Sequence, residues 1–159
     1  MRMLALLPLF LLFAGCAMHG SLPPLLVELY DQADPAGCLE IEADRDGSIR
    51  EMEAEIPLAD LPARIVAAAD REIPGGRITG GELEYVGGVR SYEVKKEVDG
   101  KEYELVFDLE GKLVEKEMAI ARSEAPPPVL AAAMDRIPSA EFKSVERIMR
   151  LGETHYHVK

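Results

Sequence analysis

The sequence is poor in cysteine, in basic residues and in long apolar runs, and each shortage excludes a class of protein. Two cysteines occur in 159 residues, Cys16 and Cys38, so no disulfide framework holds the fold. Eighteen Lys and Arg stand against 29 Asp and Glu, for a net charge of −11. Nucleic-acid binding is excluded, because neutralising phosphates needs clustered cations. The apolar run from Leu4 to Phe13 is shorter than the roughly 18 residues of a membrane-spanning helix.

The first residues are typical of an export signal. Arg2 supplies a positive start, the apolar run follows, and small residues precede Cys16. The segment Leu12-Phe13-Ala14-Gly15-Cys16 resembles a bacterial lipobox. That resemblance implies a signal peptide at residues 1–15, a lipid on Cys16 and a tether over residues 16–37. It places the protein in the cell envelope, and Ala17 after the cysteine favours the outer membrane, facing the periplasm. Plain secretion with cleavage nearby is the alternative.

The remaining chain contains one passage twice, 64 residues apart, which is the distance from Pro74 to Pro138. Turn residues and core residues both keep this offset. The coincident pairs include Asp44 and Asp108, Gly47 and Gly111, Pro62 and Pro126, Ile73-Pro74 and Ile137-Pro138, and Tyr92 and Tyr156. A fixed offset of this kind indicates one structural unit used twice. We expect unit 1 at residues 38–95 and unit 2 at residues 96–159.

Each copy reads as two strands, a helix and two strands. Leu39, Ile41 and Ala43 alternate with acidic residues, the period of a half-buried antiparallel strand. Asp44 to Gly47 and Asp108 to Gly111 fit hairpin turns.

Each helix has its own sequence signals. Asp60 is predicted to cap a helix that begins near Pro62, and Pro74 is predicted to end it. The pattern therefore predicts an α+β fold, with an antiparallel sheet of about eight strands and two helices on one face.

Residues 79–120 are predicted to form an unbroken four-strand meander. The first and last hairpins of the chain are then left over. Their pairing with each other would complete a second equivalent set of four strands, and we state this closure as a hypothesis.

The stretch from Ile56 to Ile120 resembles the PepSY-like, beta-lactamase-inhibitor-like family of secreted bacterial proteins. The matching elements are the helix opened by proline, the break at Ile73-Pro74-Gly75-Gly76, Tyr92-Glu93-Val94, and Asp108-Leu109-Glu110-Gly111. Residues 126–159 match again. The resemblance implies helices packed on one face of an antiparallel sheet. It also implies an open face like the one with which the beta-lactamase inhibitor protein holds its target.

The polar side of the strands is the predicted binding surface. It carries Glu40, Glu42, Asp44, Glu51, Glu53, Glu82, Glu84, Glu93, Glu104, Asp108, Glu115 and Glu117. Like charges on adjacent strands destabilise a sheet, and a basic protein patch or a cation would relieve them. The residues expected to contact a partner are Glu42, Glu53, Glu84, Glu93, Glu104, Glu117, His155 and His157. A solvated surface that serves solubility is the alternative.

Two further groups of residues match part of a metal-binding pattern. Glu42, Asp44, Asp46 and Glu53 have the alternating spacing of a calcium loop, with Gly47 in the sixth place, but Pro35 and Gly37 break any entering helix. His155 and His157 share one strand face, with no third ligand nearby in the sequence.

No nucleophile elbow, phosphate loop or Cys–His pairing is present. We therefore expect no enzyme and no cofactor. The function expected is an acidic, lipid-anchored envelope protein that binds another protein, such as a hydrolase or peptidase, through its sheet face. Whether binding inhibits that protein stays open. The alternative is a calcium-binding or other cation-binding envelope protein that uses the four loop carboxylates.

Overall fold

The structure is a computed structural model that describes residues 32–33, 36–136 and 141–159. Between residues 36 and 159 the described chain forms eight strands and two α-helices. The strands are β1 (Leu39–Ala43), β2 (Ile49–Glu55), β3 (Arg77–Val86), β4 (Val89–Val98), β5 (Lys101–Phe107), β6 (Leu113–Ile120), β7 (Val145–Arg150) and β8 (Glu153–Val158). The helices are α1 (Ala63–Glu72), between β2 and β3, and α2 (Pro127–Arg136), between β6 and β7.

All eight strands lie in one antiparallel sheet, and their order across the sheet is their order along the chain. The α+β class, the antiparallel sheet and the two helices are therefore confirmed. The predicted meander at 79–120 corresponds to β3 to β6, residues 77–120, which pair consecutively as predicted.

The two predicted hairpin turns are present and have matching geometry. The backbone N–H of Gly47 donates to the carbonyl of Asp44, and that of Gly111 to the carbonyl of Asp108. Both glycines have φ of +85°, a conformation that side chains with a Cβ rarely adopt. The Asp108 carboxylate also accepts hydrogen bonds from the backbone N–H groups of Glu110 and Lys112, at 3.1 and 2.8 Å. The aspartate-to-glycine spacing therefore predicts both turns correctly.

Helix α1 covers the apolar face of β2 to β5. Its Ile65, Ala68 and Ala69 are buried. The sheet side of the same core consists of Met52, Ala54, Leu83, Tyr92, Val94, Leu105 and Phe107. The two alanines have no bulk beyond Cβ, so the helix lies close to the strands. Burial of this apolar surface supplies the main driving force for folding.

Helix α2 is packed less tightly than α1. None of its ten residues is buried, and it contacts β8. Ala132 and Ala133, the repeat partners of the buried Ala68 and Ala69, are exposed and half-buried respectively. The repeat in sequence therefore does not give two equally closed cores.

Two detailed predictions are wrong. The first and last hairpins do not pair, because β1 and β8 lie at opposite edges of the sheet. Each hairpin instead extends the central meander, since β2 pairs with β3 and β7 pairs with β6. Asp60 does not cap α1. It ends a short 3-10 helix, Leu58–Asp60, and the N-cap residue of α1 is Pro62, which has no side-chain hydrogen bond to offer.

Several predictions fall outside the described residues. These are the signal peptide at 1–15, the lipidation site Cys16, most of the tether at 16–37 and the helix end at Pro138. Ala33, near the end of the tether, is described and packs against the core. In the described part of the chain, no helix has the length and apolar character needed to span a bilayer.

Candidate functional site: an acidic sheet face

The side of the sheet opposite α1 is lined with glutamates. Residues alternate between the two faces of a strand, so the residues between the core positions point away from the helix. We call this surface the acidic face. It consists of Glu40, Glu42, Glu51, Glu53, Glu55, Glu82, Glu84, Glu93, Glu97, Glu102, Glu104, Glu115, Glu117 and Glu146.

The register places many of these carboxylates directly opposite one another. The glutamate pairs are Glu40 with Glu53, Glu42 with Glu51, Glu53 with Glu84, Glu55 with Glu82, Glu82 with Glu93, Glu97 with Glu102, and Glu104 with Glu117. Like charges in such positions destabilise a sheet. These pairs are thus a concentrated source of negative potential that runs across six strands, β1 to β6.

Fewer cations reach this face than carboxylates. Lys95 donates a hydrogen bond to Glu82 and lies 3.7 Å from Glu93. At the far side Arg150 donates to Glu115, and Lys159 donates to Glu146. These contacts neutralise individual carboxylates but leave Glu53 and Glu84 facing each other.

The crowding changes the acidity of the central glutamates. Burial raises the pKa of Glu93 to about 8, and the charges of Glu82, Glu104 and Glu84 add to the effect against the opposing Lys95. Burial and the neighbouring Glu51 raise the pKa of Glu53 to about 7.

The same effect reaches two further strands. Burial raises the pKa of Glu84, and of Glu104 on the neighbouring β5. Of these glutamates, Glu93, whose pKa is about 8, keeps at neutral pH a proton that an isolated carboxyl would release, and an arriving cation would displace it.

The structure brings together some of the predicted contact residues and separates others. Glu53, Glu84, Glu93, Glu104 and Glu117 lie on β2 to β6 in the centre of the acidic face. Glu42 lies on the edge strand β1, while the two histidines lie on β8 at the opposite edge. One partner would have to span the whole sheet to contact all eight predicted residues.

The four carboxylates of the predicted calcium loop lie in the β1–β2 hairpin. Glu53 is opposite Glu40 rather than Glu42. Arg50 lies 3.9 Å from Glu42 and 3.7 Å from Asp44. Asp46 accepts a hydrogen bond from the backbone N–H of Ser48, which holds its pKa below the usual value. The strands on both sides replace the helices that flank an EF-hand loop.

Sequence reasoning missed Glu146, which lies on β7 beside the histidines. His157 is directly opposite it, and His157 Nδ1 lies 3.7 Å from Glu146 Oε2. The repeat contains a signal that could have identified Glu146, because this residue coincides with Glu82 of the acidic face. The histidines have no third ligand nearby along the sequence, but Glu146 lies next to His157 across the sheet.

The acidic face has several separate cavities and no single cleft among the residues that the structure describes. Cavities of about 310, 260 and 170 Å³ lie along β1 to β4. The two smaller ones are lined mainly by carboxylates and share Glu40 and Glu53. The largest is lined by Glu55, Glu82 and Lys95 together with apolar residues and glycines. Small-molecule sites are usually apolar, with a few convergent polar groups. A charged and extended surface of this kind suits a large partner better.

A scan against protein-family models finds no match to this chain, and a search of curated proteins finds no significant match either. The resemblance to the PepSY-like family therefore depends on the residues quoted above and stays a prediction. The acidic face is the feature from which a function has to be argued.

Proposed function

We propose that this protein binds a basic protein surface through its acidic face, as a lipid-anchored component of the cell envelope. The observation that carries the proposal is the set of glutamate pairs held opposite one another on adjacent strands. A surface selected only for solubility gains nothing from such pairing, because mixed charges serve that purpose without cross-strand repulsion.

A basic partner would relieve the repulsion between the glutamates and would form favourable charge contacts with them. Lysines or arginines placed over Glu53 and Glu84 would turn an unfavourable pair into two favourable contacts. The negative potential across six strands would also speed encounter with a positive surface, an effect that salt weakens. Binding rather than catalysis is the activity proposed, since most of the carboxylates are spread along the strands and do not converge in one cleft.

The finer fold proposed is two tandem ββαββ units in the arrangement of the beta-lactamase inhibitor protein. Two strands, a helix and two strands follow one another twice along the chain, which supports it. The equal geometry at Gly47 and Gly111 supports it as well. The proposed boundary between residues 95 and 96 lies inside β4, so the two units would share a continuous strand. The open face would hold the target, a hydrolase or peptidase being one candidate class.

A ten-residue oligolysine peptide tests the acidic face directly. Binding to the full chain is measured by calorimetry at pH 9, above the raised pKa of Glu53 (about 7) and of Glu93 (about 8), in low and in high salt. We expect binding that weakens steeply with salt, since the contacts are between exposed charges. The triple variant E53Q/E84Q/E93Q should bind at least about tenfold more weakly, which corresponds to about 1.4 kcal/mol.

The matched control is E72Q/E110Q/D135N, which makes the same change in net charge at exposed positions away from the acidic face. It should keep most of the affinity. An equal loss in both triple variants would mean that the peptide senses only net charge, and the proposed face would then be wrong. In intact cells, a photoreactive side chain at position 53 should cross-link a basic protein that the same group at position 72 does not capture.

A further inference from the structure

Three strands bring a mixed set of metal-binding side chains together at one corner of the acidic face. Glu117 comes from β6, Glu146 from β7 and His157 from β8. Glu146 pairs with Ala119 on one side and with His157 on the other. Glu117 is two residues from Ala119 and therefore points to the same face. One donor atom from each of the three side chains lies within 4.8 Å of the other two.

The donor set fits a small divalent ion. At bond lengths of about 2.1 Å, ligands in a tetrahedral zinc site lie about 3.4 Å apart. The separation of 3.7 Å between His157 Nδ1 and Glu146 Oε2 is already close to this value. An imidazole nitrogen favours first-row transition metals over calcium and magnesium, which prefer oxygen ligands alone. Three protein ligands leave a fourth position for water.

The corner also has space for a water molecule. A cavity of about 80 Å³ adjoins it, lined by Glu102, Glu104, Glu117 and Glu146 among others. This volume has room for the metal's water ligand, since a water molecule occupies about 30 Å³ in the liquid.

A cation of the chain already occupies part of this corner. Lys159 Nζ lies 2.8 Å from Glu146 Oε2 and donates to Oε1 at 2.9 Å. Oε2 is buried and accepts no aligned hydrogen bond from any residue that the structure describes. The ammonium group therefore balances the charge of this carboxylate, and a metal ion would compete with it for the same oxygens.

We propose that Glu117, Glu146 and His157 form a binding site for a divalent first-row transition metal ion, for which Zn²⁺ is the probe. His155 is two residues away on the same strand face but is opposite Ile148, and its Nε2 lies 3.6 Å from Glu153. It is therefore outside the site and provides a matched control. The site goes beyond the proposed protein binding and does not depend on it.

The test is calorimetric titration of the full chain with ZnCl₂ in metal-free buffer. One ion should bind per chain. H157A should weaken binding at least about tenfold, because the loss of even an indirect ligand contact costs 10–100-fold. E117Q should do the same, while H155A should stay within about twofold of the unchanged protein. K159M should tighten binding, because it removes the competing ammonium group.

Circular dichroism checks that each variant is folded, and the exposed position of His157 makes its substitution mild. No binding of Zn²⁺ by the unchanged protein would overturn the proposal. So would equal losses in H155A and H157A, or binding of Ca²⁺ with the same affinity and no dependence on His157. The oligolysine experiment changes Glu53, Glu84 and Glu93, whereas the zinc experiment changes His157 and Glu117. Failure of one would therefore leave the result of the other unaffected.

Discussion

At the residue scale, Lys96 is the most unusual side chain of the core. It lies on the helix-facing side of β4, between Ile78 and Tyr103 on the adjacent strands, and is 1% exposed. Its ammonium group donates a hydrogen bond to Asp70 of α1. A buried charge of this kind is tolerated only when a partner compensates it. The pair therefore fixes one point of α1 over the sheet.

Removal of the partner should be costly. D70N should lower the free energy of unfolding by about 1–2 kcal/mol, because the lysine charge would stay buried without its carboxylate, while the 62% exposure of the Asp70 side chain lets solvent offset part of the loss. Urea denaturation measures the change. The substitution K96M in the D70N background should restore most of the stability, since a methionine of similar length buries no charge.

The control is E72Q, an exposed carboxyl of the same helix, which should change stability by less than about 0.5 kcal/mol. If D70N were as mild as E72Q, the ion pair would not position the helix. The sequence gives little warning of this pair. Alternation along β4 places residue 96 on the apolar side, but nothing local indicates that the matching acid lies 26 residues away on a helix.

At the element scale, the contacts among β3, β4 and β5 make stability depend on pH through Glu93. Glu93 of β4 is next to Glu82 and Glu84 of β3, Glu104 of β5 and Lys95 of its own strand. In the folded protein its carboxyl keeps a proton up to about pH 8, whereas the ordinary value is 4.5. Between these two values the folded state binds more protons than the unfolded state.

The free energy of unfolding should therefore fall as the pH rises from about 5 to about 8, and this contribution should level off above the folded-state pKa. Urea denaturation at pH 5 and pH 8 measures the difference. E93Q keeps the side chain neutral and should flatten the slope, with a gain in stability at pH 8. E110Q, in an exposed turn, should leave the slope unchanged. A stability that rises towards pH 8 would contradict the account.

The elements themselves were largely predictable. Period-two alternation identified the strands, and aspartate and glycine at fixed spacing identified the turns. The predicted cap at Asp60 failed because a 3-10 helix and Pro62 intervene before α1 begins. Such short connections depend on packing against the sheet, which sequence periodicity does not encode.

At the scale of the whole molecule, the sequence predicted the faces of the sheet better than its closure. Polar and apolar sides follow from alternation, so Glu53, Glu84 and Glu104 were correctly placed on the open side. The pairing of the outer hairpins depends on contacts between distant parts of the chain. Each hairpin extends the meander, and the two do not pair with each other. For the same reason the corner of Glu117, Glu146 and His157 could not be assembled from spacing alone.

The proposed envelope anchor makes a prediction of its own. C16S should move the protein from the membrane fraction to the soluble fraction of disrupted cells, because the lipid would have no thiol to attach to. C38S alters the other cysteine, which is exposed in the folded domain, and should leave the protein with the membrane. Fractionation followed by detection of the protein measures both. Retention of C16S in the membrane would contradict lipid attachment at this residue.

The linear strand order also bears on how the chain acquires its structure. Every strand pairs with the strands immediately before and after it along the chain. Contacts between segments close in sequence form quickly, because little loop entropy is lost in closing them. A chain that emerges amino end first from a membrane can therefore add each strand to a sheet that already exists, with no early strand waiting for a late one.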